Sequence, residues 1–231
     1  MRSLLKVASG AALAVAAALS ITPAHATNWS GTMGSSGVCP NLSGMAQFSW
    51  GSGGGTGSAA DCNMIITFKA DGSITTTIPN PGVLNYDGVE DAMIGVVNNT
   101  GHSLSGFNIT GAGSGTAAQI FAFEFDGVST YVYASQAAAQ AVNPLDTTFY
   151  GGPASYFTNI SSDKTTGLVN FINGGLANGQ STYFSLEQPI SLSAPPVISG
   201  VPEPATIALF SAALAGFGVM RRRRAVAGRQ V

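Results

Sequence analysis

Residues 62–78 read CNMIITFKADGSITTTI, two β-rich arms flanking Asp71-Gly72. Asp-Gly is a strong hairpin signal, because the tight turns that match strand twist need residues tolerant of positive φ. Ile66 and Phe68 alternate with Thr67 and Lys69, and Ile74, Thr76 and Ile78 keep the period of two on the return arm. That pattern gives each strand one apolar and one polar face. Further strands are predicted at 45–50, 93–98, 103–109, 119–125, 129–134, 156–160, 168–172 and 182–187, separated by Gly, Asn, Asp, Ser and Pro clusters with turn chemistry. Only residues 135–142, followed by Pro144, read as a short helix. The expected fold is therefore all-β: an antiparallel β-sandwich, jelly-roll or immunoglobulin-like, with a closed barrel as the other architecture. Phe121, Phe123 and Phe125 are expected as an apolar row on one face of a strand.

The two ends differ from this body. Arg2 and Lys6 precede an apolar stretch, then Pro23 and the triplet Ala24-His25-Ala26. Residues 1–26 thus read as a secretory signal peptide cleaved after Ala26, with Ala24 and Ala26 as the small residues that signal peptidase requires. The Sec translocon and signal peptidase are the partners this implies. Residues 27–190 form the expected secreted β-sandwich domain, and 191–200, with paired prolines and small residues, a flexible tether. Between residues 27 and 200 the only cations are Lys69 and Lys164, against ten acids, which leaves a net charge of −8. Such a body repels phosphate backbones and excludes nucleic acid as a partner. Cys39 and Cys62 are expected to pair in an oxidising compartment, a staple worth about 3.5 kcal/mol by loop-closure entropy.

Little in the body supports catalysis. His102 is the only histidine left after signal cleavage, in a turn-like stretch. No nucleophile elbow, zinc ligand set or phosphate loop accompanies it. Asp87, Glu90 and Asp91 crowd into five positions, with Glu124 and Asp126 further on. A carboxylate pair could serve glycoside hydrolysis, and oxygens at this density could hold calcium. The simpler reading makes Asp87-Gly88 and Asp126-Gly127 turns with exposed acids around them. On that reading the chain has no catalytic residues, no metal and no cofactor.

At the C-terminal end, residues 201–224 read VPEPATIALFSAALAGFGVMRRRR. The apolar run at about 205–220 would span only about 24 Å as a helix, short of a hydrocarbon core of roughly 30 Å. Arg221, Arg222, Arg223 and Arg224 then act as a stop that holds this end, with residues 225–231 behind it, in the cytoplasm. Pro202, Glu203 and Pro204 followed by a short apolar helix and arginines resemble the PEP-CTERM sorting domain closely. The resemblance implies export from a Gram-negative exopolysaccharide producer and processing by an exosortase, a membrane transpeptidase. The chain would be anchored transiently in the inner membrane, then reach the cell surface or the medium. The body segments YDGVEDAMIGVVNNTGHSLSGFNITG and IFAFEFDG, and the stretch ending STYFSLE, are similar to a secreted β domain recurrent ahead of such tails. That likeness brings no activity with it, and the turn in FEFDG is less acidic than it would suggest, which speaks against calcium. The resulting expectation is a non-enzymatic matrix or surface protein; the alternative is a module that binds, or less readily cleaves, polysaccharide.

Overall fold

The computed structural model describes residues 31–48, 55–111 and 114–188. The signal peptide with Ala24 and Ala26, the tether, the triplet at Pro202–Pro204 and the arginine cluster lie outside the described residues. Among the described residues seven strands occur in chain order: β1 (Met64–Lys69), β2 (Ile74–Thr77), β3 (Ala92–Asn99), β4 (Gly106–Thr110), β5 (Ser155–Thr158), β6 (Thr166–Phe171) and β7 (Ser181–Leu186). A 3-10 turn (Gly115–Ala118) and two short helices, α1 (Ser129–Val132) and α2 (Gln136–Val142), lie between β4 and β5. The strands form a four-stranded sheet ordered β2-β1-β3-β7 and a three-stranded sheet ordered β4-β6-β5.

Period two explains how these sheets pack. Ile66 and Phe68 of β1, Ile94 and Val96 of β3, and Phe184 and Leu186 of β7 join Phe107, Ile109, Val169 and Phe171 of the other sheet in one buried core. Phe107 sits at its centre, its ring centroid 5.0 Å from Phe68, 6.2 Å from Phe171 and 6.4 Å from Phe184. The fold is thus the expected all-β sandwich. The intervening residues of the larger sheet, Ile65, Met93 and Tyr183, enter a second core with Cys39, Leu42, Cys62, Tyr86, Val128 and Tyr131. Both faces of the larger sheet are therefore covered, the second by irregular chain and short helices.

The Asp71-Gly72 hairpin forms as expected: β1 and β2 pair antiparallel, and Asp71 accepts hydrogen bonds from Ser73 N (2.9 Å) and Ser73 Oγ (2.6 Å). The sheet is not wholly antiparallel, however. β3 runs parallel to β1, with Met64 opposite Ile94, because β2 has already returned the chain to the start of β1, where Thr77 lies opposite Ile65, and residues 78–91 cross it to the far side of β1. A parallel neighbour requires a crossover of about a dozen residues or more, which this connection supplies.

Three expected strands do not form among the described residues. Residues 45–48 make only an isolated bridge, Ala46 to Thr56, and the rest of that predicted strand lies outside the described residues. Residues 129–132 are helix α1, although Ser-Thr-Tyr-Val is β-prone locally, because all four side chains are buried and Thr130 Oγ1 donates to the Gly127 carbonyl at 2.8 Å. Tertiary packing overrides propensity there. Residues 119–125 are irregular, so the aromatic row does not share a strand face. Phe121 is buried, Phe123 packs edge-to-face against it at 5.8 Å, and Phe125 is 59% exposed. The helix expected at 135–142 is observed as α2, with Ser135 Oγ accepting from Ala138 N as its cap.

Candidate functional site

Among the described residues two clusters of potential ligand groups stand out, and the first is spent on structure. Cys39 and Cys62 form the expected disulfide across a separation of 23 residues, so neither thiolate is available to a metal. Asp61 beside them is 1% exposed and fully occupied. It accepts hydrogen bonds from Ser36 N (2.6 Å), Cys62 N (2.7 Å), Ser35 Oγ (2.9 Å) and Ser36 Oγ. Burial alone would raise its pKa, but these donors hold it below the ordinary carboxylate range.

The second cluster is Asp91, Asp126 and Glu187, each offering a carboxylate oxygen within 4.8 Å of the others. Strand register builds it. β3 and β7 pair antiparallel with Ala92 opposite Leu186, so the next step places Asp91 opposite Glu187 beyond the end of the ladder. Both lie on the second-core face, in line with Met93 on one strand and Tyr183 and Ser185 on the other. Like charges directly opposite each other destabilise a strand pair. The third acid comes from the loop before α1. Glu187 Oε1 accepts from Glu124 N at 2.7 Å and Ser185 Oγ from Val128 N at 2.9 Å, clamping that loop on both sides of Asp126. Gly127 lets the chain pass, since a Cβ there would meet Phe149 O at 2.4 Å and Tyr150 Cδ2 at 2.5 Å.

Donors at this second site are scarce. The Tyr150 hydroxyl contacts both Asp126 Oδ1 and Glu187 Oε1, yet it carries one proton and can donate to only one of them. Asp91 is 1% exposed, and neither of its carboxylate oxygens has a hydrogen-bond partner. The buried Tyr86 hydroxyl faces Asp91 and interacts with it, but outside the geometry of an ordinary hydrogen bond. Burial, then the charges of Asp126 and Glu187, push the Asp91 carboxyl up to about 10. Burial is also the largest cause of the upward shift at Glu187. The two lysines among the described residues lie elsewhere, Lys69 exposed at the end of β1 and Lys164 exposed between β5 and β6.

Backbone strain marks the same place. Phe125, next to Asp126, has φ 72°, and Phe149, next to Tyr150, has φ 68°. Bulky residues rarely adopt the left-handed region, and such strain gathers where function requires it. Asp146 holds the second segment: its carboxylate accepts from Gly151 N (2.8 Å), Phe149 N (3.0 Å) and Thr148 Oγ1 (2.8 Å).

The acids grouped by the sequence are thus redistributed. Asp87 folds back on its own turn, its Oδ1 accepting from Val89 N (2.9 Å), Glu90 N (3.1 Å) and Asp91 N (3.1 Å), which is the turn role expected of it. Glu90 accepts from Gln188 Nε2 at 3.2 Å. Asp91 and Asp126 are not exposed turn acids: one is buried, the other half-buried in the cluster. Glu187 was not singled out from sequence, since the register that brings it to Asp91 has no local signature.

A family model for the PEP-CTERM protein-sorting motif matches residues 200–224. The chain therefore carries this sorting motif at its C-terminal end, behind an all-β sandwich. The motif directs export through a transient, membrane-anchored C-terminal sorting signal that exosortase, a membrane enzyme, processes. No curated protein and no solved structure matches the chain.

Proposed function

We propose that this chain is a non-enzymatic component of the cell surface or extracellular matrix of a Gram-negative exopolysaccharide producer. It is delivered by the Sec pathway, trimmed after Ala26 and released from its membrane anchor at Pro202–Pro204. The observation that carries this reading is the sorting motif at 200–224. The body adds support. A glycosidase needs two carboxylates set either side of a sugar, about 5–9.5 Å apart. Asp91 and Glu187 are instead at most 4% exposed and lie within 4.8 Å of one another and of Asp126, leaving no room for a glycan between them.

Intact-mass analysis of the protein recovered from the cell surface and medium tests the reading. A chain beginning at Thr27 and lacking the arginine cluster is expected. A surface or extracellular form that retains Arg221–Arg224 would overturn the processing step, and turnover of polysaccharide by the purified protein would overturn the non-enzymatic assignment.

A further inference from the structure

We infer that Asp91, Asp126 and Glu187 form a calcium-binding site in the exported body, with Tyr150 positioning two of the three carboxylates. This inference stands apart from the proposed function, since it concerns what the folded domain binds rather than where the chain goes.

Four observations converge. The ligand atoms are hard oxygens only, the set that suits calcium or magnesium rather than zinc or copper. They lie within 4.8 Å of one another. Oxygens sharing a calcium ion at 2.3–2.6 Å can be no more than about 5 Å apart, so the spacing is compatible with one ion. Asp91 supplies the independent sign of a ligand: it is 99% buried, directed at the other two acids, and both of its oxygens lack a partner. Buried carboxylates without donors are costly enough that proteins neutralise, pair or metal-bind them. Finally, the single Tyr150 proton cannot serve both Asp126 and Glu187; Glu187 keeps the Glu124 N–H in either case, so Asp126 lacks a donor whenever the hydroxyl turns to Glu187. A divalent cation would satisfy all three at once.

The local architecture fits an ion that enters from one side. Asp91 and Glu187 are fixed at the adjoining ends of paired strands, a rigid base. Asp126 is half-buried on a loop beside the exposed Glu124 and Phe125, so the loop side is open to solvent. The left-handed backbone at Phe125 sets the direction in which Asp126 follows. Calcium is favoured over magnesium because it tolerates irregular geometry, whereas magnesium demands a near-ideal octahedron. The carboxylates supply three of the six to eight oxygens calcium takes, and water completes the shell.

The test uses the mature exported protein, freed of ions by chelation and dialysed. Calorimetric titration with calcium chloride is expected to show one site per chain. Terbium should bind the same site and luminesce through the neighbouring tyrosines, and calcium should quench that signal by competition. Asp91→Asn, nearly isosteric, and Glu187→Gln are expected to weaken binding at least about 100-fold, while Asp71→Asn, on the β1–β2 hairpin turn, leaves it unchanged. Tyr150→Phe should weaken it roughly tenfold, as for other groups that orient a metal ligand. Circular dichroism of each variant, matched to the wild type, guards against misfolding. No heat of binding and no terbium signal from the folded wild type would overturn the site, as would equal binding by the Asp91→Asn variant. Magnesium binding as tight as calcium would overturn the choice of ion.

Discussion

Asp61 and Asp91 are equally buried, each 1% exposed, yet they sit in opposite surroundings. Four donors from Ser35, Ser36 and Cys62 converge on Asp61, and its segment is stapled by the Cys39–Cys62 disulfide. Asp91 has no donor and faces two further acids. The first region is complete within the chain. The second is arranged with equal care, clamped by Glu187, Ser185 and Asp146, but no cationic side chain among the described residues lies beside its acids. Burial of a carboxylate is therefore no guide to its role; the donors around it are.

The comparison can be broken most forcefully on the Asp61 side. Replacing both cysteines by alanine is expected to cost about 3.5 kcal/mol in chemical denaturation, with or without calcium. Asp61→Ala should cost about 3 kcal/mol under both conditions, because it strands the buried N–H groups of Ser36 and Cys62. On the other side the sign reverses. In chelator at neutral pH, Asp91→Asn is expected to stabilise the protein by about 2 kcal/mol, since the amide, unlike the carboxyl, needs no proton taken up on folding. A loss of stability there would show that Asp91 makes a favourable interaction of its own.

pH sharpens the contrast. The folded carboxyl of Asp91 is raised to about 10 from 3.8, so in chelator the folded state holds a proton that the unfolded chain has released. Its contribution is full below about pH 4 and is lost as pH rises toward 10. Asp61 is lowered, so its contribution is present above its ordinary range and lost only as pH falls below it. Denaturation midpoints across pH should therefore show a decline from acid toward alkaline conditions that Asp91→Asn flattens and Asp61→Asn does not. The smallest expected effect is at Phe125. Phe125→Gly should gain about 0.5–1 kcal/mol in chelator, the relief of left-handed strain less the extra chain entropy of glycine. The same change should loosen Asp126 and weaken calcium binding severalfold in a titration.

Much of the scaffold was legible before the structure. Asp71-Gly72 and period two announced the β1–β2 hairpin, and the clusters of turn residues between the remaining segments placed β3, β4, β5, β6 and β7. Phe121, Phe123 and Phe125 misled because alternation alone cannot reveal that a segment lacks a strand partner. Tyr131 and Val132 misled because their helix is set by burial against the second core. The site was half-legible. Asp91 and Asp126 were visible as acids, but grouping them with Asp87 followed adjacency, whereas the partner that matters, Glu187, lies across a strand pair. The sorting tail was the most legible part, since its signal is a contiguous order of triplet, apolar run and arginines.

On the reading proposed above, an ion completes the second region. Thermal unfolding of the mature protein in excess calcium and in chelator, beside Asp91→Asn under the same two conditions, tests it most directly. An ion that binds only the folded state raises stability by mass action, by about 2.7 kcal/mol at a hundredfold excess over the dissociation constant. A higher melting temperature in calcium for the wild type, with none for Asp91→Asn, is the expected result. Melting of the wild type at the same temperature in both conditions would contradict it.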